Sequence, residues 1–248
     1  MTAHAACSPS SAAMWLACPA SVTLTRDIPR TSSKYAREGT AAHRVAEKIL
    51  RGDVVLPDKI TVEGEEFIIS PGMCRALRSY VAHVQSLYLL PDAEVWLEER
   101  VKVPGTRGLV WGTMDCGMYA DPYALTVTDL KYGKGHLVHP DAPQLKLYAL
   151  GLADMVGAHD PKLRVTLAVC QPRIEGSDFL RWHVTTLGSL RKWATAELKP
   201  AIHRIAIGDT TESAGPHCRW CVRQGDCKAF NDRHRSRAAE VFNDEADT

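Results

Sequence analysis

Four cysteines at opposite ends of the chain constrain its fold more than any other sequence feature. Cys218, Cys221 and Cys227 form a C-x2-C-x5-C run near the C-terminus, and Cys18 precedes a proline near the N-terminus. If the four thiols bind one metal centre, they close a loop of roughly 200 residues, whose closure costs the unfolded chain about 4–5 kcal/mol. The sequence therefore predicts a fold whose two ends meet.

Several chemistries suit such cysteines: buried apolar thiols, a disulfide, zinc or an iron–sulfur cluster. Buried thiols explain Cys74, Cys116 and Cys170, which lie in apolar segments, whereas the C-terminal three lie in a polar, arginine-rich segment. Structural zinc sites usually use two close ligand pairs, and the second pair is missing here. Four irregularly spaced thiolates suit a [4Fe–4S] cluster. Cys18 is the expected fourth ligand, with Cys7 as its alternative, and we expect a structural role.

Composition favours an ordinary globular protein. Of the 248 residues, 45% are hydrophobic and 24% are charged, values typical of soluble domains. No apolar run approaches the roughly 20 residues that span a bilayer, and the N-terminus lacks the basic segment and apolar core of a signal peptide. We therefore expect a cytoplasmic protein with no membrane contact, whose cysteines stay reduced or bind metal.

We expect one domain over residues 1–248. Its core should cover about 35–206, the cysteine-bearing ends about 10–20 and 215–230, and a disordered acidic tail about 238–248.

The net charge of +1 does not by itself suggest a nucleic-acid partner. Segment 217–237, however, carries six basic residues against two acids. Such a local basic surface can bind phosphates, although a solvated, charged end explains the same composition equally well.

Hydrophobic periodicity predicts a mixed α/β sheet with flanking helices. Helical patterns cover 40–51, 71–90, 142–156 and 187–206, and alternating patterns cover 94–103, 109–119, 124–132, 163–170 and 178–186. Thr40 and Ser70 are the expected helix caps. The first strand should carry its apolar residues on one face, namely Val95, Leu97, Val101 and Val103. Three strands in succession predict a meander, after which a helix crosses to a further strand.

Two acids and a lysine suggest a metal site on this sheet. Asp129 and Lys131 are two residues apart in a strand and so share a face. Asp115 should lie near Asp129 if the two strands pair through the turn at 121–122. Converging carboxylates repel each other, and a divalent metal ion is the usual remedy. Lys131 would then hold or deprotonate the attacking water, or neutralise charge that develops on a phosphate.

Two helices contribute further polar residues. His43 lies in the expected first turn of its helix, and Gln144 and Tyr148 share one face of another. Taken alone, a histidine such as His43 is more often a surface or capping residue than a ligand, and Gln144 and Tyr148 are equally well explained as a half-buried helix face.

Together, these motifs carry a family resemblance. In chain order they are Glu38-Gly39-Thr40-x-x-His43, Gly112-x-x-Asp115, Asp129-x-Lys131 and Gln144-x3-Tyr148. This order resembles the RecB-type branch of the PD-(D/E)XK nucleases. The chain looks like the iron–sulfur exonucleases of that branch, including the CRISPR-associated adaptation nucleases and phage-encoded relatives. The resemblance covers residues from about 10 to 230 and implies a restriction-endonuclease-like core.

The resemblance also implies roles for individual residues. Mg²⁺ or Mn²⁺ would be bound by His43, Asp115, Asp129 and the Leu130 backbone carbonyl, and Lys131 would be the catalytic lysine beside the two acids. Gln144 and Tyr148 would lie near the DNA. The one-plus-three cysteines would hold the [4Fe–4S] cluster and join the two ends of the chain. Many relatives have glutamate where this chain has Asp129, whose shorter arm would shift the metal.

The expected function is a metal-dependent DNA exonuclease. It would act on single-stranded DNA or DNA ends in recombination, repair or phage DNA processing, inside a bacterial or phage-infected cell. A recombination or single-strand-binding protein would be a natural partner. The alternative is a non-catalytic DNA-binding or assembly protein that keeps the fold, but the full set of catalytic residue types argues against it. An iron–sulfur electron carrier fits less well still.

Overall fold

The computed structural model describes residues 5–29, 31–53 and 55–244, which form a mixed five-stranded sheet with helices on both faces. The α-helices are α1 (Ala12–Ala17), α2 (Ala20–Leu24), α3 (Lys34–Leu50), α4 (Pro71–Leu87), α5 (Pro143–Met155), α6 (Leu187–Trp193), α7 (Lys199–Ala206) and α8 (Lys228–Asp244). The strands are β1 (Lys59–Val62), β2 (Glu65–Ile68), β3 (Ala93–Lys102), β4 (Trp111–Ala120), β5 (Ala124–Leu130), β6 (Arg164–Cys170) and β7 (Leu180–Thr186).

The central sheet has the strand order β3-β4-β5-β6-β7. Strands β3, β4 and β5 form an antiparallel meander, and β7 pairs antiparallel with β6. Strands β5 and β6 are parallel because α5 crosses between them. This confirms the predicted mixed α/β sheet, whereas the separate β1–β2 hairpin was not predicted.

Strand β5 separates two hydrophobic cores. Leu125 and Val127 face the first core, which α5 covers together with α1, α6 and α7. Leu130 faces the second core, which α3 and α4 cover. Residues at alternate positions of a strand point to opposite faces. Asp129 therefore lies on the α5 side, and its neighbour Leu130 on the α3 side.

Helix capping was predicted correctly for α4 but not for α3. Ser70 Oγ accepts a hydrogen bond of 3.1 Å from the Met73 amide, as expected of an N-cap. Helix α3 instead begins at Lys34, where Ser33 is the cap. Thr40 lies inside this helix and donates to the Ala36 carbonyl. His43 is consequently a mid-helix residue rather than a first-turn residue.

In the paired strands β3 and β4, the alternating side chains switch from one face of the sheet to the other at one point. Val95 and Leu97 pack on the second core, but Val101 and Val103 belong to the first, so the prediction of one shared face is wrong. The change occurs at Glu98, whose φ of 50° lies in the left-handed region that non-glycine residues rarely adopt.

Strand β4 changes face opposite the same point. Met114 packs in the first core, whereas Cys116 packs in the second. The pairing register is kept on both sides of the change, with Leu97 opposite Cys116 and Glu99 opposite Met114. Asp115 therefore lies opposite Glu98, at the point where the side chains of both strands change face, and the two acids converge.

The acidic C-terminal segment is helical as far as the structure describes it. Helix α8 extends to Asp244, past residue 238 where the predicted disordered tail begins, and residues 245–248 lie outside the described residues. Among the described residues, no helix combines the length and apolar character needed to cross a membrane.

His83 on α4 predicts a pH-dependent stability. Its Nε2 lies 3.0 Å from the hydroxyl of the buried Thr128, and burial lowers the His83 pKa below its ordinary value of 6.5. The unfolded chain then takes up this proton at a higher pH than the folded chain does. The contribution to stability is present above about pH 6.5 and is lost as the pH falls through the lowered pKa.

His83→Gln should therefore lose less unfolding free energy than the wild type between about pH 7 and pH 5, as measured by urea titration. The exposed His159→Gln is the control and should follow the wild type. Equal pH dependence in His83→Gln and the wild type would contradict this account.

Candidate metal centre

Three of the predicted metal ligands, namely His43, Asp115 and the Leu130 carbonyl, meet where α3 faces the sheet. His43 Nδ1 lies 3.4 Å from Asp115 Oδ1 and 3.6 Å from Glu98 Oε1. On the other side of the ring, Nε2 lies 2.9 Å from the Leu130 carbonyl oxygen. Among the described residues, His43, Glu98 and Asp115 form the group able to hold one metal ion, with ligand atoms all within 4.8 Å of one another.

The two carboxylates make His43 a cation in this conformation. Burial alone would lower the pKa of the imidazole, but Asp115 and Glu98 raise it well above its ordinary value of 6.5. Nε2 then donates to the Leu130 carbonyl, and Nδ1 faces the carboxylates. Positive charge is therefore favoured between these oxygen atoms.

Asp115 connects strands β4 and β5 at this point. Its Oδ2 accepts a hydrogen bond of 2.7 Å from the Leu130 amide, while Oδ1 faces His43. Burial would raise the pKa of Asp115, but the His43 and Lys131 charges outweigh burial and lower it. Asp115 is thus ionised at neutral pH, beside the residue that follows Asp129.

Asp129, Lys131 and Gln144 form a hydrogen-bonded group on the α5 side of the sheet. Lys131 Nζ lies 3.1 Å from Asp129 Oδ1, 2.9 Å from Asp129 Oδ2 and 3.1 Å from Gln144 Oε1. Gln144 Nε2 donates to Asp129 Oδ1 at 2.9 Å. The end of β5 and the start of α5 therefore fix the lysine from two directions.

Burial shapes the protonation of this group. It raises the pKa of Asp129, an effect that Lys131 only partly offsets and Asp115 reinforces. Burial would lower the pKa of Lys131, but the two carboxylates raise it above its ordinary value. Lys131 is therefore an ammonium group, suited to charge-assisted hydrogen bonds with water or phosphate oxygen atoms.

The residues fit a hard divalent ion such as Mg²⁺ or Mn²⁺. Asp129 Oδ2 is buried and accepts no hydrogen bond, although the Lys131 ammonium forms an ion pair with it at 2.9 Å. The Leu130 carbonyl, 2.9 Å from His43 Nε2, would offer a further oxygen atom of the kind that such ions prefer. We call this set the candidate metal centre: His43, Glu98, Asp115, Asp129 and the Leu130 carbonyl.

Glu98 is the member that the sequence reasoning missed. Burial raises the pKa of Glu98, and His43 opposes this shift. The available signal was a break in alternation, because Glu98 and Glu99 follow Leu97 where a half-buried strand would continue with an apolar residue. Two successive acids at that point mark the change of face.

The two residues of the predicted DNA-binding pair differ in exposure. Gln144 is half-buried, whereas Tyr148 is 5% exposed. The Tyr148 hydroxyl bonds with Gln144, and burial raises the Tyr148 pKa. A Cβ atom at Gly112 would lie 3.1 Å from this hydroxyl, so glycine at that position leaves it room. Tyr148 thus lies inside the protein, where it supports Gln144.

The cysteines of the two chain ends line one cavity. Its lining includes Cys18, Cys218, Cys221 and Cys227, together with His217. Ser213 Oγ donates to the Ala17 carbonyl at 2.6 Å and so joins the two ends directly. Cys7, in contrast, is fully buried in the first core. The structure therefore brings Cys18, and not Cys7, to the three C-terminal cysteines.

The sulfur atoms around this cavity are not tightly clustered. All eight cysteines are free thiols, and no three cysteine sulfur atoms of the described residues lie within 4.8 Å of one another. A tetrahedral zinc ion with bonds of about 2.3 Å requires sulfur atoms about 3.8 Å apart. Neither a disulfide nor a formed zinc site matches this arrangement.

Comparisons with known proteins identify a family. A family profile described as "Protein of unknown function (DUF2800)" matches residues 4–247. Among solved structures, the chain is similar to a protein from Eubacterium rectale that carries a provisional exonuclease assignment, with 13% identity over 87% of this chain and 86% of that one and a TM-score of 0.48. It is also similar to SSO0001, with 10% identity over 86% and 95% of the two chains and a TM-score of 0.34. With TM-scores this low, neither likeness bears on function, which is inferred from the residues of the site.

The candidate metal centre predicts that Mn²⁺ stabilises the folded chain. An ion that binds only the folded state adds about 2.7 kcal/mol at a hundredfold excess over its Kd. Asp115→Asn should abolish most of the rise in Tm with Mn²⁺, and Glu98→Gln should reduce it, as measured by differential scanning fluorimetry. The control is Asp53→Asn, since Asp53 is an exposed acid paired with Lys48, and it should keep the full rise. A full rise in Asp115→Asn would refute the site.

Proposed function

The chain belongs to the DUF2800 family, and we propose that it is a metal-dependent deoxyribonuclease of the RecB-type PD-(D/E)XK superfamily. The observation that carries the proposal is the Lys131 ammonium, which Asp129 and Gln144 hold beside the candidate metal centre. A divalent-ion site paired with a separate positive charge suits phosphodiester hydrolysis, because negative charge develops on the phosphate.

The residues of the site would have separate roles. His43, Asp115, Asp129 and the Leu130 carbonyl would hold the ion, with Glu98 as a further ligand. A bound divalent ion would supply Lewis-acid stabilisation of the phosphate and make water easier to deprotonate.

Lys131 acts beside these ligands. Its Nζ would orient the attacking water or a phosphate oxygen atom and offset the charge of the transition state. Gln144 keeps the ammonium aligned with Asp129, and the hydroxyl of Tyr148 forms a hydrogen bond with Gln144.

The proposed substrate is DNA, cut from an end of a single or frayed strand. The resemblance to iron–sulfur exonucleases supports this choice, and so does the basic segment 217–237. We place the activity within one nuclease domain in the cytoplasm of a bacterial or phage-infected cell, in recombination, repair or phage DNA processing. A recombination or single-strand-binding protein is the proposed partner.

We also propose that the cysteine cavity holds a [4Fe–4S] cluster. The observation in support is that all four cysteines expected as its ligands line one cavity at the meeting point of the chain ends. Four thiolates can hold such a cluster, because each of them binds a different iron atom. The cluster would hold the ends together and take no part in hydrolysis.

Removal of the lysine charge should stop cleavage without unfolding the protein. Lys131→Gln should lower the rate of Mn²⁺-dependent cleavage of end-labelled DNA about 10²- to 10⁴-fold, the usual contribution of one such group. Asp129→Asn should have an equal or larger effect.

The matched control is Lys162→Gln, since this exposed lysine precedes β6, and it should cleave as the wild type does. Labels at the 5′ and 3′ ends reveal polarity, and circular single-stranded DNA separates exonuclease from endonuclease. Wild-type protein that binds DNA but never cleaves it would favour a non-catalytic DNA-binding protein instead.

Loss of one cluster ligand should remove iron and destabilise the chain ends. Cys221→Ser, purified without oxygen, should contain less iron than the wild type and have a lower Tm, because the chain ends are no longer joined. Cys74→Ser is the control, as Cys74 has similar exposure but lies on α4. Wild-type protein without iron, or an unchanged Tm in Cys221→Ser, would rule out a cluster that joins the chain ends.

A further inference from the structure

Trp220 is a large aromatic residue that the structure leaves uncovered. It ends a short 3-10 helix, Pro216–Trp220, within the cysteine-bearing segment and is 73% exposed. An indole buries a large apolar area when it finds a partner. A single exposed aromatic residue is common and needs no explanation, so the surroundings of Trp220 decide its meaning.

The ring of Trp220 touches the loop that follows the catalytic lysine. Its centroid lies 5.9 Å from that of His136, with an edge-to-face angle of 65°. His136 is five residues beyond Lys131, which limits the distance between their Cα atoms to about 17 Å. The exposed indole therefore stands within a few nucleotides' reach of the proposed site of cleavage.

The loop that carries His136 is held rigidly from inside. Gln171, which is 1% exposed, donates to the carbonyls of Gly133 at 3.2 Å and His136 at 2.6 Å. Its Oε1 accepts a hydrogen bond from the Val138 amide at 3.2 Å. A buried amide with three loop partners fixes the backbone, so the surface against which Trp220 lies is formed in advance.

Positive charge accompanies this aromatic surface. The Arg219 guanidinium lies 5.3 Å from the centre of the Trp220 ring, and Lys134 is exposed on the loop. A cavity of about 260 Å³ opens beside the indole, with Met14, Pro29 and Val222 among its lining residues. Aromatic faces beside basic side chains are what proteins use to bind single strands without regard to sequence.

We propose that Trp220, with His136 and Arg219, is a stacking platform for an unpaired base of single-stranded DNA beside the metal centre. This inference rests on the proposed function and makes its substrate specific. A duplex keeps its bases stacked inside, whereas a single strand can offer one to the indole. The cysteine-bearing segment would then present the substrate to the site, in addition to closing the fold.

The test combines a protein variant with an altered DNA. Binding of a fluorescein-labelled single-stranded 12-mer is measured by anisotropy with EDTA present, so that no cleavage occurs. Trp220→Ala should weaken binding about 5- to 150-fold, which corresponds to the about 1–3 kcal/mol of one stacked base. Trp220→Phe should retain most of the affinity. Tyr123→Ala is the matched control, since Tyr123 is 72% exposed at the far end of β5, and it should bind as the wild type does.

An abasic version of the 12-mer keeps the phosphates and removes the bases. The wild type should bind it about as weakly as Trp220→Ala binds the normal strand, and Trp220→Ala should show little further loss. Equal wild-type affinity for both strands would overturn the platform even if the variant failed to fold.

Two further outcomes would also overturn the platform. The first is that Trp220→Ala binds the normal strand within twofold of the wild type. The second is that the substitution changes the oligomeric state and leaves the affinity unchanged, which would make Trp220 a contact between copies of the chain. Metal-dependent cleavage by the wild type is scored separately, so the nuclease proposal stands or falls independently of these results.

Discussion

Repulsion among the buried carboxylates of Asp115 and Asp129 and the half-buried carboxylate of Glu98 is the constraint on which the site depends. A buried charge costs several kcal/mol unless nearby groups compensate it. Here the compensation comes from separate elements, because α3 supplies the His43 imidazole and the segment after β5 supplies the Lys131 ammonium. The packing of α3 against the sheet is thereby tied to the charge of the site, and a divalent ion would meet the same need that the His43 proton meets now.

The sequence was sufficient for the parts of the fold that follow simple periodicity. The five central strands and the helix that crosses from β5 to β6 were predicted because their apolar patterns are regular. The proposed ligands His43 and Asp115 also lie together, since their motifs lie on elements that pack directly.

Other features depend on interactions that no local pattern encodes. The change of face in β3 at Glu98 comes from a left-handed backbone conformation, and its trace in the sequence is the break in alternation at Glu98 and Glu99. The early start of α3 was missed because Thr40 looked like a cap, whereas its hydroxyl instead bonds within the helix. Tyr148 is buried beside Gly112, which a different strand supplies and whose lack of a side chain leaves room for the tyrosine hydroxyl.

The cysteine-bearing segment connects the proposed functions. Cys218 and Cys221 line the cavity between the chain ends, and Trp220 lies between them in sequence and touches His136. A structural cluster at this cavity would therefore also position the indole. Loss of iron would then weaken substrate binding through Trp220 while leaving the carboxylates and Lys131 in place.

The position of Mn²⁺ in a crystal of the wild-type protein, located by its anomalous scattering, tests the central claim most directly. The account predicts an ion bound by His43, Asp115, Asp129 and the Leu130 carbonyl. A crystal in which Mn²⁺ is absent from this cleft at saturating concentration, or in which it binds without contact to Asp115, would contradict the account.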